Sequence, residues 1–372
     1  MPRFSTLDDW LGWQETLHPD PIELGLARVG EVAARLGLLS PPATVISVAG
    51  TNGKGSSVAM LDAIYRAAGY RTGVYTSPHL LKYNERIRVD GREIDDAGLC
   101  AAFERIDAAR GDVSLTYFEF GTLAALDIFS RARPDIIILE VGMGGRLDAV
   151  NIIDADVALV TAIGIDHSAW LGNDREAIGR EKAGIYREGR PAICSDPAPP
   201  ATLEQTARAV GAGWRALGEH FDYRRSDAHW QWQGNGRRHD ALPLPALQGR
   251  QQLDNAAGVI MATEVLQVRH PVPVAALAEG LRGVSLAGRC QLLPGRIERV
   301  LDVAHNLDSA RLLAAWLADH PATGETWLVL GMLADKDAAG LEAILSPVID
   351  HWCLAGLPGE RGLPAGELAA MA

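Results

Sequence analysis

The chain has 372 residues, of which 48% are hydrophobic and 22% are charged. This is an ordinary globular composition that excludes wholesale disorder and fibrous structure, and the length predicts two domains. The 47 Asp and Glu residues outnumber the 35 Lys and Arg residues, which gives a formal charge of −12. Because nucleic-acid binders carry basic surfaces and no Lys/Arg-rich run is present, we expect no nucleic-acid partner.

The first half of the chain alternates between helical and strand patterns. In chain order the predictions are a helical region over residues 7–38, a strand over 44–49, a glycine-rich loop, a helix over 56–68, and strands over 72–76, 135–141 and 157–165. The apolar run DIIILEV at 135–141 is typical of a strand buried on both faces. Strands that alternate with helices predict an α/β fold with a doubly wound, mainly parallel sheet.

The pattern changes after residue 197 and then returns. A polar, Trp-containing stretch with a turn at residues 234–236 predicts a small antiparallel addition, followed by helices near 252–267 and 274–282. Residues 285–295 resemble a hinge. Strands near 299–304, 326–332 and 350–355, with helices over 308–319 and from 337, predict a second, smaller Rossmann-like α/β domain. We therefore expect one domain at residues 1–285 and another at 286–372.

The four cysteines, Cys100, Cys194, Cys290 and Cys353, form no CxxC pair, which favours a reduced, cytoplasmic protein. The N-terminal residues show neither the basic segment nor the apolar core of a signal peptide. No apolar run approaches the roughly 20 residues that a membrane-spanning helix needs, so we expect no membrane association.

The segment VISVAGTNGKGSSVAML has the order strand, glycine loop, helix. Gly50, Gly53 and Gly55 would let the backbone approach a phosphate chain, with amide N–H groups and a helix N-terminus facing the anion. Lys54 supplies a positive charge for the β- and γ-phosphates. The spacing departs from GxxxxGK[ST], since Val48 stands at the place of the first glycine. A plain glycine-rich turn is the alternative, but the flanking strand and helix favour phosphate binding.

Three predicted strands end in residues that can hold a metal. Ser77 follows the strand over 72–76, Glu140 closes the strand over 135–141, and Asp166-His167 follow the strand over 157–165. The carboxyl ends of parallel strands meet at one sheet edge, where ligands bind. Each residue alone has a structural explanation as a turn, a capping residue or a buried acid. Together, beside Lys54, they predict a Mg²⁺-nucleotide site.

Eight motifs stand in order along the chain: GTNGKGSS, YTSPHL, SLTYFEFGTLAAL, ILEVGMGGRLDAVN, DHSAWLG, GREKAGI, LDVAHN and LGMLADKD. They resemble the dihydrofolate synthase/folylpolyglutamate synthase family, which is related to the Mur ligases, over nearly the whole chain. The LHPDPIELGL and TYFE segments resemble those of the bifunctional bacterial enzymes. The resemblance implies an ATP-dependent amide ligase that joins L-glutamate to 7,8-dihydropteroate and to tetrahydrofolate derivatives through an acyl phosphate, and we expect a monomer.

The resemblance also implies a set of site residues. ATP would contact Gly50, Thr51, Asn52, Gly53, Lys54, Gly55, Ser56, Asn255, Arg289 and Asp302; Mg²⁺ would contact Ser77, Glu140 and His167; and the pterin-side pocket would use Leu17, His18, Thr116, Tyr117, Phe118, Glu119, Leu147 and Asp148. Lys182 matches a lysine that the family carries as a carbamate, which could orient a second Mg²⁺. His305 is expected to help orient glutamate, with a turn before a helix as the alternative.

The sequence departs from the family at several points, and two other functions stay open. Val150, Ala287, Cys290 and Leu307 replace residues that are common in the family. The chain stops after LPAGELAAMA, about one βα unit before such enzymes usually end. On this basis we expect a mobile second domain and weak turnover. The alternatives are a nucleotide-binding module that is inactive as a ligase and a P-loop kinase that stops at phosphoryl transfer.

Overall fold

The computed structural model describes residues 3–359 and 361–371. The chain divides into two compact units. The first consists of Met1–Ala246 and Leu253–Val284, and the second of Leu247–Gln252 and Ser285–Ala372. Within the described ranges, no helix is both long and apolar enough to cross a membrane. The four cysteines are free thiols.

The first unit holds ten α-helices and eleven strands among its described residues. In chain order they are α1 (Leu7–Thr16), α2 (Ala27–Leu36), β1 (Thr44–Ala49), α3 (Lys54–Ala67), β2 (Thr72–Tyr75), β3 (Ile87–Val89), β4 (Arg92–Glu93), α4 (Asp96–Arg110), α5 (Tyr117–Ala132), β5 (Ile136–Glu140), β6 (Val157–Val160), α6 (Ser168–Leu171), α7 (Arg175–Lys182), β7 (Pro191–Cys194), α8 (Ala201–Ala209), β8 (Gly213–Ala216), β9 (Phe221–Arg225), β10 (His229–Gly234), β11 (Arg237–Pro243), α9 (Gln252–Val265) and α10 (Val274–Gly283).

An eight-stranded sheet organises this unit, in the order β4-β3-β2-β5-β1-β6-β7-β8. The six strands from β2 to β8 in that order run parallel, while β3 and β4 are antiparallel additions at one edge. Strand β1 lies between β5 and β6 and is fully buried. The prediction of a mainly parallel, doubly wound sheet is confirmed, and it places the loop after β1 near the middle of the sheet's carboxyl edge.

The helical prediction for residues 7–38 is wrong in its middle. Helix α1 ends at Thr16, helix α2 begins at Ala27, and residues 17–26 between them form no regular element. Pro19 and Pro21 lie in this segment, and proline lacks the N–H that a continuing helix requires. The segment therefore passes over the surface as an irregular chain that carries His18 and Glu23.

The predicted strand over 157–165 is also too long. Strand β6 ends at Val160, because the next residues turn toward the glycine loop: Thr161 donates to the Asn52 carbonyl, and the Thr51 amide donates to the Ala162 carbonyl. The apolar character of VALVTAIGI reflects burial of residues 157–161 and 163 rather than continued sheet pairing.

The antiparallel addition predicted after residue 197 is confirmed as the three-stranded sheet β9-β10-β11. Its hairpin turns at Asn235 and Gly236, which adopt positive φ angles of 51° and 71°, as a tight hairpin turn requires. Trp230 and Trp232 on β10 are fully buried. The indole N–H of Trp232 donates to the Ala257 carbonyl of α9 at 3.1 Å, which fixes the small sheet against that helix.

The second unit has its own core. Its elements are β12 (Gln291–Leu293), β13 (Arg299–Leu301), α11 (Leu307–Asp319), β14 (Trp327–Leu330), α12 (Ala338–Leu345), β15 (His351–Leu354) and α13 (Ala365–Met371). Strands β14 and β15 pair in parallel, and β12 and β13 pair antiparallel. The buried side chains include Leu313, Trp316, Leu341, Leu345 and Leu368. The predicted order from β13 to β15 is confirmed, whereas β12, which lies in the predicted hinge, and α13 were not predicted.

Helices α3 and α10 pack closely through a glycine. A Cβ atom at Gly280 would lie 2.6 Å from the Ile64 Cα atom and 2.7 Å from its backbone nitrogen. Because backbone atoms cannot move aside as a side chain can, we expect Gly280→Ala to lower the free energy of unfolding by about 1–3 kcal/mol. Urea denaturation followed by circular dichroism measures the change.

Gly283 on the same helix is the matched control, because a Cβ atom there would meet nothing within 4 Å. Gly283→Ala should leave stability unchanged or raise it by up to about 1 kcal/mol. Equal effects of the two substitutions would show that the α3–α10 contact does not limit stability.

Candidate active site

The glycine loop is held against the segment that follows β6. The Thr51 amide donates to the Ala162 carbonyl at 2.8 Å, and the Thr161 hydroxyl donates to the Asn52 carbonyl at 2.7 Å. A Cβ atom at Gly50 would lie 1.8 Å from the Thr161 hydroxyl oxygen, so only glycine fits this position. The loop is therefore a rigid structure whose shape depends on close contact with a neighbouring strand.

Lys54 is the first residue of α3 and lies over the loop. Its ammonium donates to the carbonyls of Gly50 at 3.0 Å and Thr51 at 3.2 Å. Gly53 precedes it with φ of 96°, and a Cβ atom there would lie 2.4 Å from the Asn255 side-chain oxygen. The N-terminus of α3 adds the positive end of the helix dipole. Together they form a positively polarised site that suits phosphates, and α9 brings the predicted residue Asn255 to it.

The predicted metal residues follow neighbouring parallel strands. Glu140 ends β5 opposite Val48 of β1, and its buried carboxylate accepts the Ser77 amide N–H at 3.2 Å. His167 lies between β6 and α6 with a positive φ of 52°. The structure thus joins Ser77 and Glu140 directly, and places His167 at the carboxyl edge of the same sheet.

Lys182 is a buried lysine at the end of α7. Burial, and to a lesser extent the charge of Lys54, lower its pKa to about 7, while Asp166 and Asp148 act in the opposite direction. These interactions place Lys182 among the phosphate loop, the end of β6 and the predicted pterin-side residue Asp148. The lowered pKa makes the neutral amine far more accessible near pH 7 than it is for an ordinary lysine.

The predicted pterin-side residues surround the start of α5. The Thr116 hydroxyl accepts the Glu119 amide N–H, and the buried Glu119 carboxylate accepts the Thr116 amide at 2.8 Å, which forms a capping box. Phe118 packs on Gly142, where a Cβ atom would lie 2.6 Å from its ring. Tyr117 and Leu147 are partly buried.

Asp148 is buried after the glycine-rich loop GMGG. Its carboxylate accepts the amide N–H groups of Met143 at 2.8 Å and Val150 at 3.1 Å. Burial raises its pKa to about 6, although these amides and the charge of Lys182 oppose the rise. The side chain can therefore change its protonation state near neutral pH.

An ion-pair chain that sequence reasoning missed links the segment over 17–26 to α5. His18 lies 2.7 Å from Glu23 and 2.9 Å from the Ser114 hydroxyl. Arg28 pairs with Glu23 and, at 3.2 Å, with the buried Glu119 carboxylate. Glu119 and Arg28 are 91 positions apart, so no local pattern could have revealed the contact. Leu17 caps α1 just before this segment.

Three predicted residues belong to the second unit. The Asp302 carboxylate accepts the amide N–H groups of Cys290 and Ala304, both at 2.8 Å. Arg289 donates to the Gly288 carbonyl at 3.1 Å. His305 lies 2.8 Å from the Val303 carbonyl, and Asn306 caps α11. The turn before a helix, which was the alternative for His305, is present.

Comparison with known families identifies the class of the protein. The description "Mur ligase middle domain" matches residues 48–205, and "Mur ligase, glutamate ligase domain" matches residues 288–372. The first match contains the phosphate loop and the strand-end residues, and the second covers most of the second unit. The fold is therefore that of a Mur-type ligase.

Individual relatives narrow this class. The dihydrofolate synthase/folylpolyglutamate synthase of Escherichia coli is 46% identical over 98% of this chain and 85% of the relative, and that of Haemophilus influenzae is 40% identical over 98% and 86%. The solved structure of the E. coli enzyme with DHPP and ADP gives a TM-score of 0.95 at 46% identity and covers 99% of this chain and 87% of that one. The structure of a bifunctional folylpolyglutamate synthase/dihydrofolate synthase with Mn, AMPPNP and L-glutamate bound gives a TM-score of 0.92 at 46% identity. The match covers 99% of this chain and 88% of that one.

The chain belongs to the dihydrofolate synthase/folylpolyglutamate synthase family. It is an ATP-dependent ligase that attaches glutamate in folate metabolism. The two alternatives from the sequence, a kinase and a non-catalytic nucleotide-binding module, are not supported by these findings.

Lys54 offers a direct test of the phosphate loop. We expect Lys54→Ala to abolish turnover and weaken ATP binding while the melting temperature stays within a few degrees, because the side chain contacts loop carbonyls and not the core. Isothermal titration with AMPPNP and a steady-state assay measure the two effects. Lys82→Ala removes an exposed lysine and is the control. Near-normal activity of Lys54→Ala would contradict the assignment of the loop.

Proposed function

We propose that this ligase joins L-glutamate to 7,8-dihydropteroate and to tetrahydrofolate derivatives. The observation that carries the proposal is 46% identity to the bifunctional E. coli enzyme over 98% of the chain. The solved relatives hold DHPP with ADP in one case and AMPPNP, Mn and L-glutamate in another. The two predicted pterin-side segments are LHPDPIELGL and TYFE. Arg28 connects them through ion pairs with Glu23 of the first and Glu119 of the second.

The chemical problem is to join a carboxylate to an amine in water. Transfer of the γ-phosphoryl group of ATP to the acceptor carboxylate gives an acyl phosphate, and the amine of glutamate displaces phosphate from it. Lys54 and the N-terminus of α3 stabilise the charge on the transferred group. The site residues of the first unit perform binding and charge stabilisation, and no covalent enzyme intermediate is required.

The donor set at the strand ends fits a divalent metal. Glu140 offers a buried carboxylate and Ser77 a hydroxyl, and hard cations such as Mg²⁺ prefer such oxygen ligands; His167 would complete the set. When bound, the ion neutralises phosphate charge. Asn255, Arg289 and Asp302 are proposed as further ATP contacts, and His305 as a contact of glutamate.

The substrate side is proposed to lie at the start of α5. Thr116, Tyr117, Phe118 and Glu119, with Leu147 and Asp148, would contact the pterin, and Leu17 and His18 would cover it from the segment over 17–26. We also propose that the enzyme is a cytoplasmic monomer that acts as two domains, residues 1–285 and 286–372.

A coupled assay tests the function. Purified protein is given ATP, Mg²⁺ and L-glutamate with either dihydropteroate or tetrahydrofolate, and ADP release and the glutamylated product are measured by mass spectrometry. We expect ADP release that depends on both the acceptor and glutamate. A stable phosphorylated acceptor without glutamate, or no turnover with either acceptor, would contradict the proposal.

The metal assignment has its own test. Glu140→Gln and His167→Ala should each raise the Mg²⁺ concentration needed for half-maximal activity by about tenfold or more, because each removes a ligand or its charge. Asp222→Asn, on the small antiparallel sheet, is the control. Unchanged Mg²⁺ titrations in both variants would place the metal elsewhere.

We propose further that Lys182 carries a carbamate that holds a second Mg²⁺. Only a neutral amine reacts with CO₂, forming a C–N bond and releasing one proton. Because its pKa is lowered to about 7, Lys182 is neutral above that pH, and falling pH converts it to the unreactive ammonium. An ordinary lysine reaches this state only near pH 10.

With ¹³C-bicarbonate, we expect one carbamate signal by NMR that fades as the pH falls below about 7, and activity that declines with it after degassing. Lys182→Ala should lose both the signal and activity, and added short carboxylates should restore part of the activity. Lys82→Ala should keep the signal. Full activity of wild-type enzyme without a carbamate signal would rule the modification out.

A further inference from the structure

Arg86 lies beside the proposed substrate residue Tyr117 but is not one of the residues proposed to bind ATP, metal or substrate. It comes just before β3, and the pairing of Tyr75 with Ile87 places it opposite Thr76. The Thr76 amide donates to the Arg86 carbonyl at 2.8 Å. Since Ser77 is the next residue, the topology puts Arg86 at the same carboxyl edge as the proposed metal site.

Aromatic and neutral groups surround the Arg86 guanidinium. Its Nε–H donates to His79 Nδ1 at 2.9 Å. Its Cζ atom lies 5.3 Å from the ring centroid of Tyr83 and 5.5 Å from that of Tyr117. Cation–π interactions with the two tyrosine rings stabilise the charge of Arg86, and the contacts together fix the plane of its guanidinium.

No carboxylate within residues 3–359 and 361–371 forms an ion pair with Arg86. Two other partly buried arginines of this acidic chain do have an acidic partner: Arg28 pairs with Glu119, and Arg105 with Asp127. Because Nε is bonded to His79, the two terminal nitrogens of the Arg86 guanidinium point away from His79. Such a fixed pair of terminal nitrogens matches the two oxygens of a carboxylate.

We propose that Arg86 binds the α-carboxylate of a glutamylated folate acceptor and thereby determines which acceptor is used. This inference rests on the proposed function. Dihydropteroate has one carboxylate, which reacts and must reach Lys54. A folate acceptor carries an additional, non-reacting α-carboxylate a few bonds from its reacting γ-carboxylate. That second charge needs a second cation near the first, and Arg86 lies against Tyr117 of the proposed substrate segment.

The test compares the two acceptors in one enzyme. Arg86→Gln should raise KM for tetrahydrofolate by about 10- to 100-fold, the effect of losing a charge-assisted pair, and should lower the ratio of kcat/KM for tetrahydrofolate over that for dihydropteroate at least tenfold. Arg86→Lys keeps the charge without the paired nitrogens and should give a smaller fall. Arg92→Gln removes an exposed arginine on the neighbouring strand β4 and should leave the ratio unchanged.

A substrate analogue gives an independent measurement. Tetrahydropteroyl-γ-aminobutyrate has the reacting carboxylate but lacks the α-carboxylate, so wild-type enzyme should use it as poorly as Arg86→Gln uses tetrahydrofolate. With the analogue, Arg86→Gln should show the same kcat/KM as wild-type enzyme, because the interaction that the substitution removes is already missing. The inference would be overturned if Arg86→Gln lowered kcat/KM equally for dihydropteroate and tetrahydrofolate. It would also be overturned if the substitution lowered kcat/KM for the analogue further than the missing α-carboxylate already does. If Arg86→Gln does not fold, the analogue with wild-type enzyme and Arg86→Lys decides. Wild-type enzyme inactive with both acceptors would instead contradict the proposed function.

Discussion

The contact between Gly50 and Thr161 is the constraint on which the candidate active site depends. A Cβ atom at Gly50 would approach the Thr161 hydroxyl oxygen to 1.8 Å, so the backbone after β1 can lie flat against the strand-end segment after β6. The same threonine fixes the Asn52 carbonyl. Because the loop is held on one side by β6 and on the other by the start of α3, its amide groups are preorganised before any phosphate binds. Preorganised dipoles stabilise developing charge without reorganisation during the reaction.

Charge is distributed unevenly in this protein. The chain as a whole carries −12, yet Lys54 and Lys182 lie close enough for each to disfavour the other's charge, with Asp166 and Asp148 opposing this effect. Burial is the main cause of the lowered pKa of Lys182, and the nearby charge of Lys54 adds to it. An anionic ligand in the site relieves the repulsion between the two lysines. The arrangement therefore favours phosphates and carboxylates, although the surface as a whole would repel them.

The local sequence was a good guide to the elements and a poor guide to their ends. The stretch Thr44–Ala49, the glycine loop and the strand Ile136–Glu140 were predicted because burial on both faces leaves a continuous apolar run. The region over 7–38 was predicted as helical throughout, but Pro19 and Pro21 interrupt it, and Glu23 in the interruption contacts His18 and forms an ion pair with Arg28. Strand β6 was predicted too long because an apolar run indicates which residues are buried, not which residues form hydrogen bonds with a neighbouring strand.

The sequence by itself determined the fold class, the phosphate loop and the strand-end residues Ser77, Glu140 and His167, since these follow from local pattern and from the rule that parallel strands share a carboxyl edge. Only the tertiary structure decided which distant residues meet. It brought Asn255 against Gly53, joined Arg28 to Glu119, and left Arg86 among aromatic rings with no acidic partner among the described residues. The physical reason is that packing of helices on the sheet sets these contacts. A charged side chain gives no local sign of whether the fold will supply its partner or leave that place to a ligand.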